Sequence, residues 1–381
     1  MGRRQPTFDA MKTVLTIVGA RPQFIKSRAF SDAVAADPSL GLQELLLHTG
    51  QHHDEAMSGR FFAELGLRTP DVQLTVPPGG HGARTARMLE GIEAVILDRK
   101  PDAVLVYGDT DSTLAGALAA AKLNVPVAHV EAGLRSGDRT MPEEVNRILT
   151  DHASTWCYTT SSVATDQLAL EGMGGEAVIE VGDVMYDVAL GAAKSAEAPN
   201  AKSKKAPLVV VTLHRPFNAD HPERMAAILE NLANAAIAGS PEPWRVLFPM
   251  HPRTSSNLER AWGAGWRDMI PAPIEVVEPM GYLDLQAALR EASLVFTDSG
   301  GLQKEAFFAG APCVVMRPST EWTELVDCGA AVLCAEPGPG LRKALQSQMK
   351  LDLLTVVPAG TMLYGGGHAG RRIAEHLSQV L

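Results

Sequence analysis

Short apolar runs recur along the chain, each closed by a polar turn and followed by a stretch with helical spacing. Thr13-Val-Leu-Thr-Ile-Val18 is the first, and Gly19-Ala-Arg-Pro-Gln-Phe-Ile-Lys26 leads from it into a helix reaching Ala36. Pro22 suits the first turn of that helix, where its missing N–H leaves no bond unmade. Leu45-Leu-Leu-His48 reads as a second strand, Gly82 to Arg99 as an amphipathic helix closed by Lys100-Pro101, and Ala103-Val-Leu-Val-Tyr107 as a third strand. The latter ends in Gly108-Asp109-Thr110 before an alanine-rich helix from Ser112 to Lys122, which Asp111 and Ser112 are placed to cap. Val125-Pro-Val-Ala-His-Val130 is a further buried strand. Strands alternating with helices predict a parallel, doubly wound sheet.

From Ala192 to Pro207 the composition shifts to Ala, Lys, Ser and Pro, as in a linker, and a second alternating series follows. Its strands are Leu208-Val-Val-Val-Thr-Leu213, Arg245-Val-Leu-Phe248, Ile274-Glu-Val-Val277, Leu294-Val-Phe-Thr297 and Cys313-Val-Val-Met316. The expected organisation is a disordered tail over 1–10, a Rossmann-like domain over 11–191, a linker over 192–207, a second Rossmann-like domain over 208–366 and a closing helix over 367–381. Such α/β domains sharing a cleft can open and shut on a ligand.

With 381 residues, 46% of them hydrophobic, the chain can bury two substantial cores. The net charge of −10 and the absence of a basic run exclude nucleic acid as the main ligand. An anionic ligand would then need a locally basic site. Four cysteines, Cys157, Cys313, Cys328 and Cys334, show no C-x-x-C spacing, which fits a reduced interior and a cytoplasmic enzyme. Arg3-Arg4 is followed by polar residues rather than an apolar signal core, and no apolar run reaches the ~18 residues of a membrane span.

The candidate chemistry sits where strands end, the place where open α/β sheets bind ligands. His129-Val-Glu-Ala-Gly-Leu-Arg135 and Met141-Pro-Glu-Glu-Val-Asn-Arg147 bring Glu131, Glu143, Glu144, Arg135 and Arg147 into one turn region leaving a strand. Glu131 follows four apolar or aromatic positions and reads as functional, whereas Glu144 and Arg139 read as a solvated ion-pair network. Asp109 stands at another strand end. In Thr297-Asp-Ser-Gly-Gly-Leu-Gln-Lys-Glu305, the residues Ser299, Gly300 and Gly301 open a helix whose free N–H groups can hold a phosphate, and Glu305 can accept from ribose hydroxyls; an ordinary helix cap is the competing account. Arg21 and Lys26 at the first glycine turn could clamp an anion, although Lys26 equally fits a solvated helix residue. His214-Arg215 and His251-Pro-Arg253 give two cationic strand ends. Gly19-Ala-Arg-Pro departs from G-x-G-x-x-G, which argues against a nicotinamide cofactor, and no H-x-x-x-H or H-x-E pattern supplies metal ligands.

Taken with Thr49-Gly-Gln-His52, Gly108-Asp-Thr110 and Thr320-Glu-Trp-Thr-Glu324, these motifs resemble the non-hydrolysing UDP-N-acetylglucosamine 2-epimerase family over nearly the whole chain from Met11. The resemblance implies a fold of the glycosyltransferase B type, a UDP-sugar substrate, a homodimer, and no cofactor or metal. It implies a reaction in which UDP is expelled from C1 as a base removes the C2 proton, leaving a glycal to which UDP re-adds. Under it Asp109, Glu131 and Glu143 are the acid/base carboxylates and His214 stabilises the diphosphate. Arg21, Lys26, Arg135 and Arg147 orient sugar or phosphate, Arg215 and His251 join the substrate site, Ser299, Gly300 and Glu305 hold diphosphate and ribose, and Tyr282 lies where the family contacts uracil.

Departures from the family pattern bear on the substrate. Pro216-Phe217-Asn218 stands where an acidic residue and asparagine usually follow His-Arg, and His53-Asp-Glu-Ala-Met57 differs from the stretch through which a second sugar nucleotide activates the plain acetylglucosamine branch. Gly19-Ala20, the short Ser136–Met141 link and Glu321-Trp322 are closer to the branch acting on UDP-2,3-diacetamido-2,3-dideoxyuronate. A hydrolysing epimerase and a glycosyltransferase of the same fold are the alternatives.

Overall fold

A computed structural model describes residues 11–51, 67–195, 206–238, 243–353 and 363–381. The tail over 1–10, most of the linker stretch and the His53–Met57 segment lie outside the described residues. The chain divides into two compact units, Met1–Leu190 with Met362–Leu381, and Gly191–Thr361.

The first unit is built on strands β1 (Lys12–Val18), β2 (Leu42–His48), β3 (Val72–Gln73), β4 (Ala103–Tyr107), β5 (Val127–Ala132), β6 (Trp156–Thr159) and β7 (Val178–Glu180). They form one sheet in the order β3-β2-β1-β4-β5-β6-β7, and every described pairing in it is parallel. Its helices are α1 (Arg21–Ala36), α2 (His81–Arg99), α3 (Asp111–Lys122), α4 (Pro142–Ala153), α5 (Ser162–Leu170) and α6 (Val184–Ser195). Strands this apolar need cover on both faces. On one face Leu15, Ile17, Val104 and Val106 pack under Met88, Ile92 and the alanines of α3. Gly116 belongs to that fit, because a Cβ there would lie 2.9 Å from Ile17 Cδ1.

The second unit carries β8 (Leu208–Thr212), β9 (Arg245–Pro249), β10 (Ile274–Val277), β11 (Leu294–Thr297), β12 (Cys313–Val315) and β13 (Ala331–Leu333) in the parallel order β10-β9-β8-β11-β12-β13. Its helices are α7 (Pro216–Ala219), α8 (Pro222–Ala238), α9 (Pro252–Trp262), α10 (Tyr282–Glu291), α11 (Gly300–Phe308), α12 (Thr323–Asp327) and α13 (Pro339–Gln348). Val209, Val211, Phe248, Phe296, Trp244 and Leu232 centre its core. The last helix, α14 (Ala369–Val380), belongs with the first unit: Ser378 Oγ donates to Leu40 O at 2.6 Å, and Tyr158 Oη lies 2.8 Å from His376 Nδ1.

The expected α/β fold of two Rossmann-like domains is present, with four strands the patterning did not single out: β3, β6, β7 and β13. All are four residues or shorter and lie at or towards the sheet margins, where the apolar signal is weakest. In each sheet the strand order reverses at one point, between β1 and β4 and between β8 and β11, so a crevice opens outside the carboxyl ends of those strands.

Candidate active site

In the first unit the reversal point is lined by Gly19-Ala20-Arg21 after β1 and Gly108-Asp109-Thr110 after β4. Gln23 ties the two turns together. Its Oε1 accepts from Gly19 N at 2.8 Å and Ala20 N at 2.9 Å, while its Nε2 donates to Tyr107 O and Thr113 Oγ1, both at 2.8 Å. Gly19 is required by proximity, since a Cβ would fall 2.0 Å from Ser112 Oγ and 2.1 Å from Thr49 Oγ1. Thr110, not Asp111 or Ser112, is the N-cap of α3. Asp111 instead accepts from Arg84 Nη2 at 2.9 Å and Asn146 Nδ2 at 3.2 Å, and Ser112 Oγ donates to Gln51 Oε1 at 2.6 Å.

Glu131 lies inside β5 rather than after it. Its φ is +72°, in the left-handed region, and the β5–β6 register shifts between Val130 and Ala132. A non-glycine residue held there carries strain that the surrounding sheet must offset, and a bulge of this kind re-aims a side chain. The Glu131 carboxylate pairs with Lys26, reaching back from α1. Lys26 Nζ would sit 3.2 Å from a Cβ on Gly108, so the ammonium lies against the turn that presents Asp109. Asp109 in turn pairs with Arg147 of α4. Two carboxylates, each with its own cation, therefore converge on one turn, and Lys26 is more than a solvated helix residue.

The other first-unit candidates divide. Glu143 stands half-buried in the first turn of α4, and no side-chain hydrogen bond or ion pair is described for it among the described residues. Glu144 is buried rather than solvated: it accepts from Ser136 N and Gly137 N, each at 2.9 Å, and from Arg147 at 3.0 Å, closing the 136–141 link. Burial alone would raise its pKa; these donors and Arg147 bring it below the ordinary value. Arg21 is exposed at the start of α1. Arg135 points elsewhere, its guanidinium bonded to Glu171 at 2.8 and 2.7 Å, to Asp151 at 2.7 Å and to Leu134 O at 2.7 Å.

In the second unit Asp298, fully buried at the end of β11, organises the reversal point. It accepts from His214 N at 3.0 Å, Arg215 N at 3.0 Å and Asn218 Nδ2 at 3.0 Å. Asn218 thus serves the turn rather than a ligand. The His214 ring stacks on that of His251, centroids 5.0 Å apart and planes 28° from parallel. Burial holds both imidazoles below their ordinary pKa; for His214 the Asp298 carboxylate opposes this, while His251, Arg215 and Arg253 add to it.

Ser299 is the N-cap residue of α11, with its side chain not engaged in a cap bond, and Gly300 packs closely enough that a Cβ would meet Glu321 Oε1 at 2.3 Å. Arg215 Nη2 lies 3.7 Å from that same position. Arg317 pairs with Glu321 at 3.0 Å, and Trp322 Nε1 donates to Gly300 O at 3.0 Å. Gly301 is exposed at the helix start, and Glu305, one turn in, accepts from Gln286 Nε2 at 2.5 Å. Gln286 lies one turn beyond Tyr282, which is buried at the start of α10. Sequence reading passed over Asp298, Gln23, Gln286 and the buried Lys304, whose ammonium sits 3.8 Å above the Trp322 ring. Among the described residues no three His, Cys, Asp or Glu side chains gather as metal ligands, and no helix is long and apolar enough to cross a membrane.

Two parallel sheets flanked by helices, each with a polar turn at its reversal point, make an α/β protein of the glycosyltransferase B type. The comparisons place it further. The family model for UDP-N-acetylglucosamine 2-epimerase matches residues 33–378. A UDP-2,3-diacetamido-2,3-dideoxy-D-glucuronate 2-epimerase of Pseudomonas aeruginosa is 47% identical over 96% of this chain and 99% of its own. The crystal structure of Methanocaldococcus jannaschii UDP-GlcNAc 2-epimerase in complex with UDP-GlcNAc and UDP superposes with a TM-score of 0.83 at 36% identity, covering 96% and 99% of the two chains. That of the Neisseria meningitidis UDP-GlcNAc 2-epimerase bound to UDP-GlcNAc gives 0.81 at 25% identity, over 96% of this chain and 100% of the other. The chain belongs to the UDP-N-acetylglucosamine 2-epimerase family and is an isomerase, a UDP-sugar 2-epimerase.

Proposed function

We propose that the protein epimerises C2 of a UDP-2-acetamido sugar without hydrolysing it, and that its substrate is UDP-2,3-diacetamido-2,3-dideoxyglucuronate. The observation that carries the reaction is the convergence of Asp109 with Arg147 and Glu131 with Lys26 on the Gly108 turn. A C2 hydrogen that is not beside a carbonyl is hard to remove as a proton alone. Breaking the C1–O bond in the same step gives the electron pair of the C2–H bond a destination: it becomes the C1–C2 double bond of a glycal, and UDP departs with the C1–O pair. Re-addition reverses the process with the proton delivered to the other face of C2. Two acid/base groups are needed, and Asp109, Glu131 and Glu143 supply the carboxylates.

The second unit carries groups suited to a diphosphate at the turn after β8 and the start of α11. His214, Arg215 and His251 supply side-chain donors there, with the start of α11 at Ser299, Gly300 and Gly301. Glu305 and Tyr282 hold ribose and uracil, and Arg21 adds positive charge at the sugar end. Arg135, spent on Asp151 and Glu171, acts on the fold and not on the substrate. The substrate assignment is supported by the 47% identity to the Pseudomonas aeruginosa protein and by the Gly19-Ala20, Ser136–Met141 and Glu321-Trp322 stretches. In the same reading the enzyme works in the cytoplasm and is a homodimer, and light scattering of the purified protein checks the dimer.

The test is a pair of steady-state comparisons. Asp109→Asn and Glu131→Gln should each lower kcat by about 10²–10⁴-fold while UDP binding by calorimetry is kept. The diacetamido uronate should be turned over with a higher kcat/KM than UDP-GlcNAc, and a preference for UDP-GlcNAc would reassign the substrate. Accumulation of free UDP with a free sugar would mean hydrolysis instead.

A further inference from the structure

One buried group serves both carboxylate-bearing segments and has no role in the reaction as described. Asp151, on α4, is fully buried. Its carboxylate takes three donors: His129 Nδ1 at 2.6 Å, Gly133 N at 3.2 Å and Arg135 Nη1 at 2.7 Å. Each leads somewhere different. His129, itself fully buried in β5, uses its other nitrogen, Nε2, to donate to Gly108 O at 2.7 Å. Gly108 N also donates to Val130 O at 3.0 Å, so both backbone polar groups of the residue before Asp109 are tied to β5. Gly133 stands two residues after Glu131, with φ +80°, packed so closely on α5 that a Cβ would meet Ala164 O at 2.3 Å. Arg135 carries the chain of contacts to Glu171.

Desolvating a carboxylate and a histidine ring that carries hydrogen on both nitrogens is costly unless each polar atom is satisfied, and here each is, at every nitrogen and both oxygens. Burial would raise the Asp151 pKa, but His129 and Arg135 outweigh it and hold the carboxyl below its ordinary value. An apolar pair would fill the same volume without that cost. What the polar pair adds is direction, because hydrogen bonds to Gly108 O and Gly133 N tie the two backbone segments to one carboxylate.

We propose that Asp151 and His129 are positioning residues that set the placement of Asp109 relative to Glu131, Asp151 acting through His129 and Gly108 on one side and through Gly133 on the other. The inference rests on the proposed epimerase reading, in which those two carboxylates exchange protons with the sugar. Groups that transfer protons must be held within about half an ångström of their productive geometry, and a misplacement near 1 Å can cost on the order of 10²-fold in rate.

The test uses His129→Ala, His129→Gln and Asp151→Asn in the full-length protein, with melting temperature, UDP affinity by calorimetry, and kcat and KM for UDP-2,3-diacetamido-2,3-dideoxyglucuronate and UDP-GlcNAc. His129→Ala should lower kcat on the order of 10²-fold, with KM and UDP affinity within about twofold of wild type. His129→Gln should regain part of that kcat, since its amide can still donate towards Gly108 O. Asp151→Asn keeps the shape but loses one acceptor oxygen facing three donors, and should lower kcat by about tenfold or more with KM again unchanged. A folded variant of either residue with wild-type kcat overturns the proposal. So does a loss in which kcat falls only in proportion to the folded fraction. Should His129→Ala not fold, the near-isosteric Asp151→Asn decides alone. The wild-type enzyme in the same assay separates the two readings: no epimerisation there overturns the reaction, whereas active wild type with unaffected variants overturns only the positioning role.

Discussion

At the scale of single residues, Glu131 shows most clearly how function and stability pull apart. Its φ of +72° would suit glycine, yet a carboxylate stands there, paired with Lys26. Glu131→Gly and Glu131→Ala both remove the carboxylate, so both should lose turnover, but the usual order of stability should invert. The glycine variant should be more stable than the alanine variant by about 1 kcal/mol, because the left-handed conformation costs alanine roughly that much. Paired denaturant titrations check this; alanine at or above glycine would mean the backbone at 131 is not strained. Gly19 makes a second case at this scale. A methyl group there would press into Ser112 and Thr49, and Gly19→Ala should destabilise the protein by about 1–3 kcal/mol. Ser112→Gly in the same chain should restore part of the loss.

Strands and the turns that leave them place these residues. Long apolar strands such as β1, β4, β8 and β11 were legible because a strand covered on both faces is a continuous apolar run. The polar turns after them, with Arg21, Asp109, His214 and Ser299, were legible for the same reason, since the end of the run marks the place. Short marginal strands β3, β6, β7 and β13 were not, having too few residues to set a pattern. Glu131 read as following its strand because nothing in an apolar run announces a bulge at its far end. Asp298 has no role legible in its motif, yet a fully buried carboxylate one residue beyond an apolar strand must be bonded to something. Its partners are the backbone amides of the β8 turn, which only the sheet order brings near. That turn yields a pH prediction. His214 and His251 have folded pKa values below the ordinary 6.5, so the unfolded chain takes up protons first as pH falls, and their contribution to stability is present above about pH 6.5 and lost below it. Between about pH 6.5 and 5, His251→Asn should show a shallower fall of melting temperature with acidification than wild type. An identical slope would mean that His251 titrates alike in the folded and the unfolded chain.

For the molecule as a whole, the chain folds as two units, each on a parallel sheet, and returns to the first at its end. Ile373 and Leu377 of α14 are fully buried there. Deleting residues 369–381 should therefore cost the first unit about 3–6 kcal/mol, from two large apolar side chains at ~1.5–3 kcal/mol each. Hydrogen exchange should show protection lost in β1 and β2 and kept in β8 and β11; loss confined to the second unit would contradict the division. The central claim is that the C2 hydrogen leaves as a proton while UDP breaks from C1. Turnover of the UDP-diacetamido uronate in deuterium oxide, followed by NMR of the re-isolated sugar nucleotide, measures it directly. Deuterium is expected at C2 of the product from the first turnover; product whose C2 keeps its original hydrogen would rule out proton loss to solvent at that carbon.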